Sequence, residues 1–283
     1  MYKFYPPTEY SLRNISENTI YMNPPHLFND PYELDCIVES GFPPLNSKTP
    51  RLNRILEAWL GESIDMSIVN NDYTDYTSSL IEPKLNDTSF RNKVRISCFT
   101  RSPFNALMWA YYADSMSGIC VEYDEEKICR LSEDDAYLFD VVYSEEFPVI
   151  DTALLAVWDS IADYHLDVFE STREYEKNKE MYDEGYDVSI KSIKEIYQKS
   201  LATKARFWEH EAETRIVKIV DDNVNDDSGF ILPLIEDTIK AVILGPNIKP
   251  EYKNHLLSIL QSKNIIAKEI VKSGNYKWEL KII

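Results

Sequence analysis

Glycine is scarce in this chain, with 7 in 283 residues. Folds that cradle a nucleotide phosphate on a Gly-rich loop need glycine at fixed offsets, and neither GxGxxG nor GxxxxGK[ST] occurs. Cysteine is equally sparse. Cys36, Cys98, Cys120 and Cys129 form no CxxC pair, and their spacing matches neither a zinc site nor a disulfide framework. Cys98 and Cys120 lie in apolar runs and read as small buried hydrophobes in a reducing compartment. Only four histidines occur, at 26, 165, 210 and 255, without HExxH, and no GxSxG elbow is present. No metal site is therefore expected. No apolar run has the length of a membrane span, and the N-terminus lacks a signal-peptide pattern, so a cytoplasmic protein is expected.

Positive charge is also in deficit. The net charge is −18, which repels phosphate backbones and argues against broad nucleic-acid binding. A small basic pocket inside such a protein can still hold a nucleotide. What the chain has in quantity is apolar and aromatic matter: 44% hydrophobic residues and 19 tyrosines, enough for a large core.

The patterning predicts an α+β fold: a mainly antiparallel, split sheet with peripheral helices and a helical insertion at about 150–206. The chain is read as one domain over 1–283. Strands are predicted at 2–5, at Thr19–Met22, at Val94–Thr100, at Ile119–Tyr123, around Asp140–Tyr143, at 213–220, at 240–244, at 265–271 and at 277–282. Thr8 caps a helix carrying Leu12 and Ile15. Leu52, Ile55, Leu56, Trp59 and Leu60 form one helical stripe within 50–70. The polar stretch 70–90 reads as irregular. Pro103 precedes a helix through Ala106 and Trp109. The insertion reads as two helices with a charged middle, Glu174 to Glu184, broken near Gly185. A helix follows near 250–262.

Three segments could carry chemistry. If 211–220 is a strand, Glu211, Glu213 and Arg215 share one face, continued by Val217 and Ile219. Two carboxylates so placed repel unless a cation or ligand compensates. Such a face either orients a ligand or is a self-paired strand edge. Asn29-Asp30-Pro31-Tyr32-Glu33 makes a rigid acidic turn, either scaffold or cleft wall. Met108-Trp109-Ala110-Tyr111-Tyr112 is helical, and its Trp109 and Tyr112 either pack in the core or stack on a planar ring. Lys3 and Tyr5 point to the face of the first strand opposite Phe4. Lys3 there binds phosphate, pairs with a Glu, or is simply solvated.

As a set these segments resemble a bacterial family of unknown function, DUF2971. The resemblance rests on Tyr2-Lys3-Phe4, Phe28-Asn29-Asp30-Pro31-Tyr32-Glu33, Ser97-Cys98-Phe99-Thr100, Leu107-Met108-Trp109-Ala110-Tyr111-Tyr112-Ala113 leading to Gly118, and then Lys204, Trp208, Glu211, Glu213 and Arg215. The chain departs from it at Tyr111, where the family favours His, and at Tyr5, where Arg is common. The order of elements is more distantly similar to ADP-ribosyltransferases. That similarity implies Lys3 or Tyr5 in the first position, Ser97 or Thr100 in the second, and Glu211 or Glu213 in the third, with NAD as substrate and no metal.

Under that resemblance Glu213, Glu211 and Arg215 are the catalytic group. Lys3, Tyr5, Asn29, Asp30, Ser97, Thr100, Trp109, Tyr112 and Trp208 are the substrate-binding set. The implied activity is ADP-ribosyl transfer or NAD cleavage, as in a toxin or phage-defence effector. A non-catalytic nucleotide-sensing or protein-interaction module is the alternative. A metal-dependent nuclease using Asp30, Glu33, Glu211 and Glu213 is the third.

Overall fold

The computed structural model describes all residues except 62–63, 86, 132–135, 171–174 and 222–227, together with the side chains of 169 and 170. In chain order the elements begin with β1 (Tyr2–Tyr5), α1 (Glu9–Glu17), β2 (Thr19–Met22), β3 (Ile37–Glu39), α2 (Pro50–Leu60), α3 (Met66–Ser79) and α4 (Thr88–Lys93). Then come β4 (Val94–Thr100), α5 (Ala106–Tyr112), β5 (Ile119–Tyr123), α6 (Glu125–Leu131), β6 (Ala136–Asp140), β7 (Val142–Ser144) and β8 (Val149–Asp151). The remainder is α7 (Thr152–Glu170), α8 (Lys179–Leu201), β9 (Thr203–Ala205), a 3-10 helix Arg206–Glu211, β10 (Glu213–Ile219), β11 (Phe230–Pro233), β12 (Ile239–Leu244), α9 (Pro250–Lys263), β13 (Ile266–Lys272) and β14 (Trp278–Ile282).

These elements fall into two compact units. The first comprises Met1–Glu33, Arg91–Glu145 and Lys204–Ile283; the second comprises Leu34–Phe90 and Glu146–Thr203. The helical region read at about 150–206 falls largely in the second unit, which also takes in residues 34–90.

The first unit is built on an eight-stranded sheet in the order β14-β13-β12-β5-β1-β4-β10-β6. The β12–β13 pair is parallel and the other registered neighbours are antiparallel. Both faces of the sheet are covered. On one, Tyr5, Phe99, Val121, Ile216 and Val242 pack with Leu12 and Ile15 of α1 and Leu256 and Leu260 of α9. On the other, Phe4, Cys120, Ile243 and Ile270 pack against Trp109 of α5. Strand alternation produces this division directly, because consecutive side chains point to opposite faces.

The ladder has one seam. β1 pairs with β5 through four residues, Tyr2 to Tyr5, but its register with β4 is the single pair Tyr2↔Thr100. On its other edge β4 pairs with β10 from Thr100 to Val94, and Asn23 bridges Ile96.

In the second unit, α2 and α3 bury Leu52, Ile55, Leu56, Val69 and Tyr73 against Ala153 and Val157 of α7. A second cluster joins Leu85, Ile150, Leu155, Ala162, Ile193 and Ile196. The predicted irregular stretch 70–90 is corrected here. The helix α3 runs to Ser79, capped by Asp65, whose side chain accepts from Ser67 N. It buries only Val69 and Tyr73, one turn apart, so its apolar stripe is too thin to stand out in sequence. The break expected near Gly185 is also misplaced, since Gly185 lies inside α8. A Cβ there would sit 2.5 Å from His165 Nε2, so the glycine admits the ring of a neighbouring helix and does not end its own. The charged middle begins at 174, outside the described residues.

Candidate functional site

A cavity of about 760 Å3 lies within the first unit. That is within the range of small-molecule sites. It opens where β1 and β4 part. Lys3 and Tyr5 of β1, Cys98 and Thr100 of β4, Tyr112 of α5, and Glu211 and Glu213 beside β10 all contribute to its wall. Asn29 and Phe28 from the first loop, and residues of α1 and β2, complete it.

The polar side of this wall is one connected chain of hydrogen bonds. Asn29 Nδ2 donates to Tyr112 Oη at 3.2 Å, and Tyr112 Oη donates to Glu211 Oε1 at 2.5 Å. Lys204 Nζ donates to Glu211 Oε2 at 2.7 Å and to Glu213 Oε2 at 2.9 Å. Arg215 then donates through Nε to Glu213 Oε1 at 2.6 Å. Its outer nitrogens grip Glu33 at 2.6 and 3.1 Å. Three carboxylates thus alternate with two cations. All five side chains are at most 5% exposed. Charges this deeply buried persist only when paired and hydrogen-bonded.

Local backbone explains how the group assembles. Glu213 lies opposite Thr100, and Arg215 opposite Cys98, in the β10–β4 ladder, so these four side chains share a face. Glu211 does not belong to that strand, contrary to expectation. It ends the 3-10 helix Arg206–Glu211, and Ala212 follows in the left-handed conformation at φ 44°. That kink brings Glu211 back beside Glu213 by a route other than strand alternation. Thr100 Oγ1 fixes the kink by donating to Glu211 O at 2.7 Å, and Asn105 Nδ2 donates to the His210 carbonyl. On the far side of the strand start, Glu213 N donates to Tyr143 Oη at 2.8 Å.

The electrostatics follow from this geometry. Burial alone would raise the Glu213 carboxyl, but Arg215 and Lys204 outweigh it and hold it at about 2. Burial likewise opposes the Lys204 charge, and Glu213 with Glu211 outweighs it, so the ammonium is held above the usual lysine range. Burial and the bond to Glu211 push the Tyr112 phenol up, and burial pushes the Cys98 thiol well up, away from the thiolate. Lys3 differs from Lys204. Its Nζ donates to Cys98 O at 3.1 Å and lies 5.6 and 5.7 Å from the ring centres of Tyr5 and Phe99, and burial pushes its ammonium down.

The predicted site residues therefore divide. Lys3, Tyr5, Asn29, Thr100, Tyr112, Glu211 and Glu213 meet at one cavity. Arg215 is fully buried behind it and acts on Glu213 and Glu33. Ser97 is corrected: it is absent from the cavity lining, and its Oγ is buried with no hydrogen-bond partner among the described residues. Trp109 is also corrected. It is 0% exposed, packs edge-on to Phe4 with ring centres 5.1 Å apart, and donates Nε1 to Pro103 O at 2.7 Å. It is core, and no ligand ring can reach it. Asp30 is a turn former, its Oδ1 accepting from Tyr32 N at 2.9 Å. Trp208 is absent from the cavity lining; its ring lies 5.1 Å from Lys204 Nζ as a cation–π neighbour. Tyr5 lines the cavity but shares its hydroxyl with Tyr123 at 2.8 Å.

Sequence reasoning named Glu33 only for the nuclease alternative and Lys204 only as part of the family resemblance, yet they complete the ionic chain. A lysine between Leu201-Ala202-Thr203 and Ala205 was the available signal, because small and apolar neighbours give such an ammonium no reason to reach solvent. Among the described residues no group of three or more His, Cys, Asp or Glu is arranged to hold a metal ion. Of the four residues in the nuclease alternative, Asp30 serves its turn and Glu33, Glu211 and Glu213 are held by Arg215 and Lys204. No described helix is long and apolar enough to cross a membrane.

Residues 108–216 match the model of a family described as "Protein of unknown function (DUF2971)". The matched stretch runs from α5 to Ile216 in β10 and so contains Tyr112, Lys204, Glu211, Glu213 and Arg215. Comparison with curated proteins finds no match, and comparison with solved structures finds none.

Proposed function

We propose that the cavity is a nucleotide site directed at NAD⁺, and that the protein is an ADP-ribosyltransferase-like or NAD-cleaving enzyme of the kind used as a toxin or phage-defence effector. The observation that carries this reading is convergence. Lys3 on the opening strand, Thr100 on the central strand and Glu211 with Glu213 at the late strand come from distant parts of the chain to one cavity. Breaking the bond between nicotinamide and ribose leaves positive charge on the sugar, and a fixed carboxylate stabilises such charge without reorganising. Arg215 and Lys204, paired with Glu213 at 2.6 and 2.9 Å, favour its ionised form and orient it. Tyr112 supplies aromatic wall against which a planar ring can lie.

One observation favours the second reading, a non-catalytic nucleotide-sensing or interaction module. Every oxygen of the Glu211 and Glu213 carboxylates already accepts from Tyr112, Lys204 or Arg215. Carboxylates so engaged are suited to shaping a pocket. An exposed apolar stripe on and before α5, with Phe104, Leu107 and Tyr111 at 44, 44 and 61% exposure, adds a surface for an interaction.

Two measurements separate the readings. NAD⁺ raises the melting temperature under both. Release of nicotinamide, abolished by Glu213→Gln and reduced by Glu211→Gln, belongs to the enzyme alone. A melting shift without nicotinamide release selects the sensing module, and no shift at all rejects NAD⁺ as the ligand.

A further inference from the structure

We propose that Lys3 is a nucleophilic amine built to condense with the carbonyl group of an aldehyde or ketone ligand held in the cavity. This goes beyond the NAD⁺ reading and does not depend on it.

Two lysines line the cavity, and their surroundings are opposite. Lys204 Nζ lies against two carboxylates at 2.7 and 2.9 Å, which fix it as an ammonium. Among the described residues Lys3 Nζ makes no ion pair, and Glu213, the carboxylate whose charge acts on it, is outweighed by burial. The hydrogen-bond acceptor of Lys3 Nζ is the neutral carbonyl of Cys98 at 3.1 Å, and its other near neighbours are the rings of Tyr5 and Phe99. A lysine amine becomes a nucleophile when its surroundings disfavour the charged form, which is what burial in an apolar wall does. The direction of the Lys3 shift, downward through burial, agrees with the geometry. Lowering of this kind leaves more neutral amine at neutral pH than an exposed lysine has.

The seam in the sheet supplies the rest. With β1 and β4 paired only at Tyr2↔Thr100, the Lys3 side chain turns to the carbonyl of Cys98 and still borders open cavity. One N–H is committed to that carbonyl, which orients the amine, and the lone pair of the neutral form is free for a ligand.

The step balances without an oxidant or reductant. The Nζ lone pair attacks the carbonyl carbon, the C–N bond forms, and the C–O π bond breaks. A proton passes from nitrogen to oxygen, giving a carbinolamine. Loss of its hydroxyl, with the second amine proton, releases one water and leaves the imine.

The test uses the full-length protein with 4-hydroxybenzaldehyde as probe and cyanoborohydride as the reductant that traps the imine. Peptide mass spectrometry then reads the rate of modification at each lysine. At pH 7 Lys3 is expected to react several-fold faster than exposed Lys249, with Lys204 unmodified. Lys3→Arg, whose guanidinium cannot supply a neutral amine, is expected to abolish the fast modification. A Lys3 rate at or below that of Lys249 overturns the proposal. Addition of NAD⁺ separates the two readings: protection of Lys3 supports both, and fast labelling unaffected by NAD⁺ sustains this inference while counting against the NAD⁺ site.

Discussion

Glu33 and Arg215, 182 positions apart, meet as a bidentate pair at 2.6 and 3.1 Å within the first unit. Arg215 is 0% exposed and Glu33 has a side chain only 4% exposed, so neither charge has water to fall back on. The same guanidinium holds Glu213. One arginine therefore serves two buried carboxylates from different regions of the chain.

Removing it should be costly. Arg215→Met leaves Glu33 without its cation and Glu213 with Lys204 alone. Loss of one member of a buried pair costs about 3–5 kcal/mol, and the upper end is expected here. Glu33→Gln keeps an oxygen acceptor and should cost less, about 1–3 kcal/mol. Urea unfolding of both variants, followed by tryptophan fluorescence, reads the difference. Equal losses would mean that the Arg215–Glu213 bond carries nothing.

Acid should act on the same cluster through Glu213. Its carboxyl is held at about 2, below its unfolded value. The stability it contributes is fully present above about pH 4.5 and is lost as pH falls toward 2. In Lys204→Gln one of the two depressing cations is gone, so the acid loss should still begin near pH 4.5 but be smaller and complete at a higher pH. Melting temperatures measured from pH 7 down to pH 2.5 should show the two curves separating in the acid range. Parallel curves would remove Lys204 as a cause.

Asp159 in the second unit shows the opposite sign. Burial first, and then Asp163 one helical turn away, raise its carboxyl to about 6. The fold prefers the neutral form, so the penalty is absent below about pH 4 and complete above pH 6. Asp159→Asn should stabilise the protein at pH 7 by about 1 kcal/mol, after allowance for the group's partial exposure. The gain should vanish near pH 4.

Trp109 and Tyr112 sit on one short helix with different duties, and substitutions should separate them. Trp109→Ala empties a fully buried site and should cost about 3–5 kcal/mol, without a specific effect on ligand binding by the protein that remains folded. Tyr112→Phe removes only a hydroxyl and should cost about 1 kcal/mol. It also frees one oxygen of Glu211 and unties Asn29, so it should change the NAD⁺-induced melting shift. If Trp109→Ala alone alters that shift, the cavity has been drawn with the wrong wall.

How much of this was legible in the chain depended on whether neighbours in sequence were also neighbours in space. β4 and β5 were read at their true limits, because buried apolar runs flanked by turn formers carry their own boundaries. Thr8 was read as a cap, and its side chain accepts from Ser11 N. The polar helix α3 was missed for want of an apolar stripe, and α6 and β11 were passed over. At the site, Glu213 and Arg215 were correctly placed on one face by alternation alone. Glu211 reached the same place through a left-handed residue that no period predicts. Ser97 is absent from the cavity lining although Ile96, Cys98, Phe99 and Thr100 of the same strand contribute to it, a distinction that spacing alone does not make. Pairing of Lys204 with two carboxylates, and of Arg215 with Glu33, is a tertiary fact that spacing does not encode.

The seam between β1 and β4 bears on how any ligand would be recognised. Past Tyr2↔Thr100 the described register gives β1 no further partner on that side. Residues of both β1 and β4 line the cavity there, and the carbonyl of Cys98 is met by Lys3. A ligand that bonds to peptide groups is read by atoms that no point substitution removes. Changes such as Tyr5→Phe or Thr100→Ser would retune the walls while the hydrogen-bonding edges of the opening persist, so the site can diversify its guests without giving up its frame.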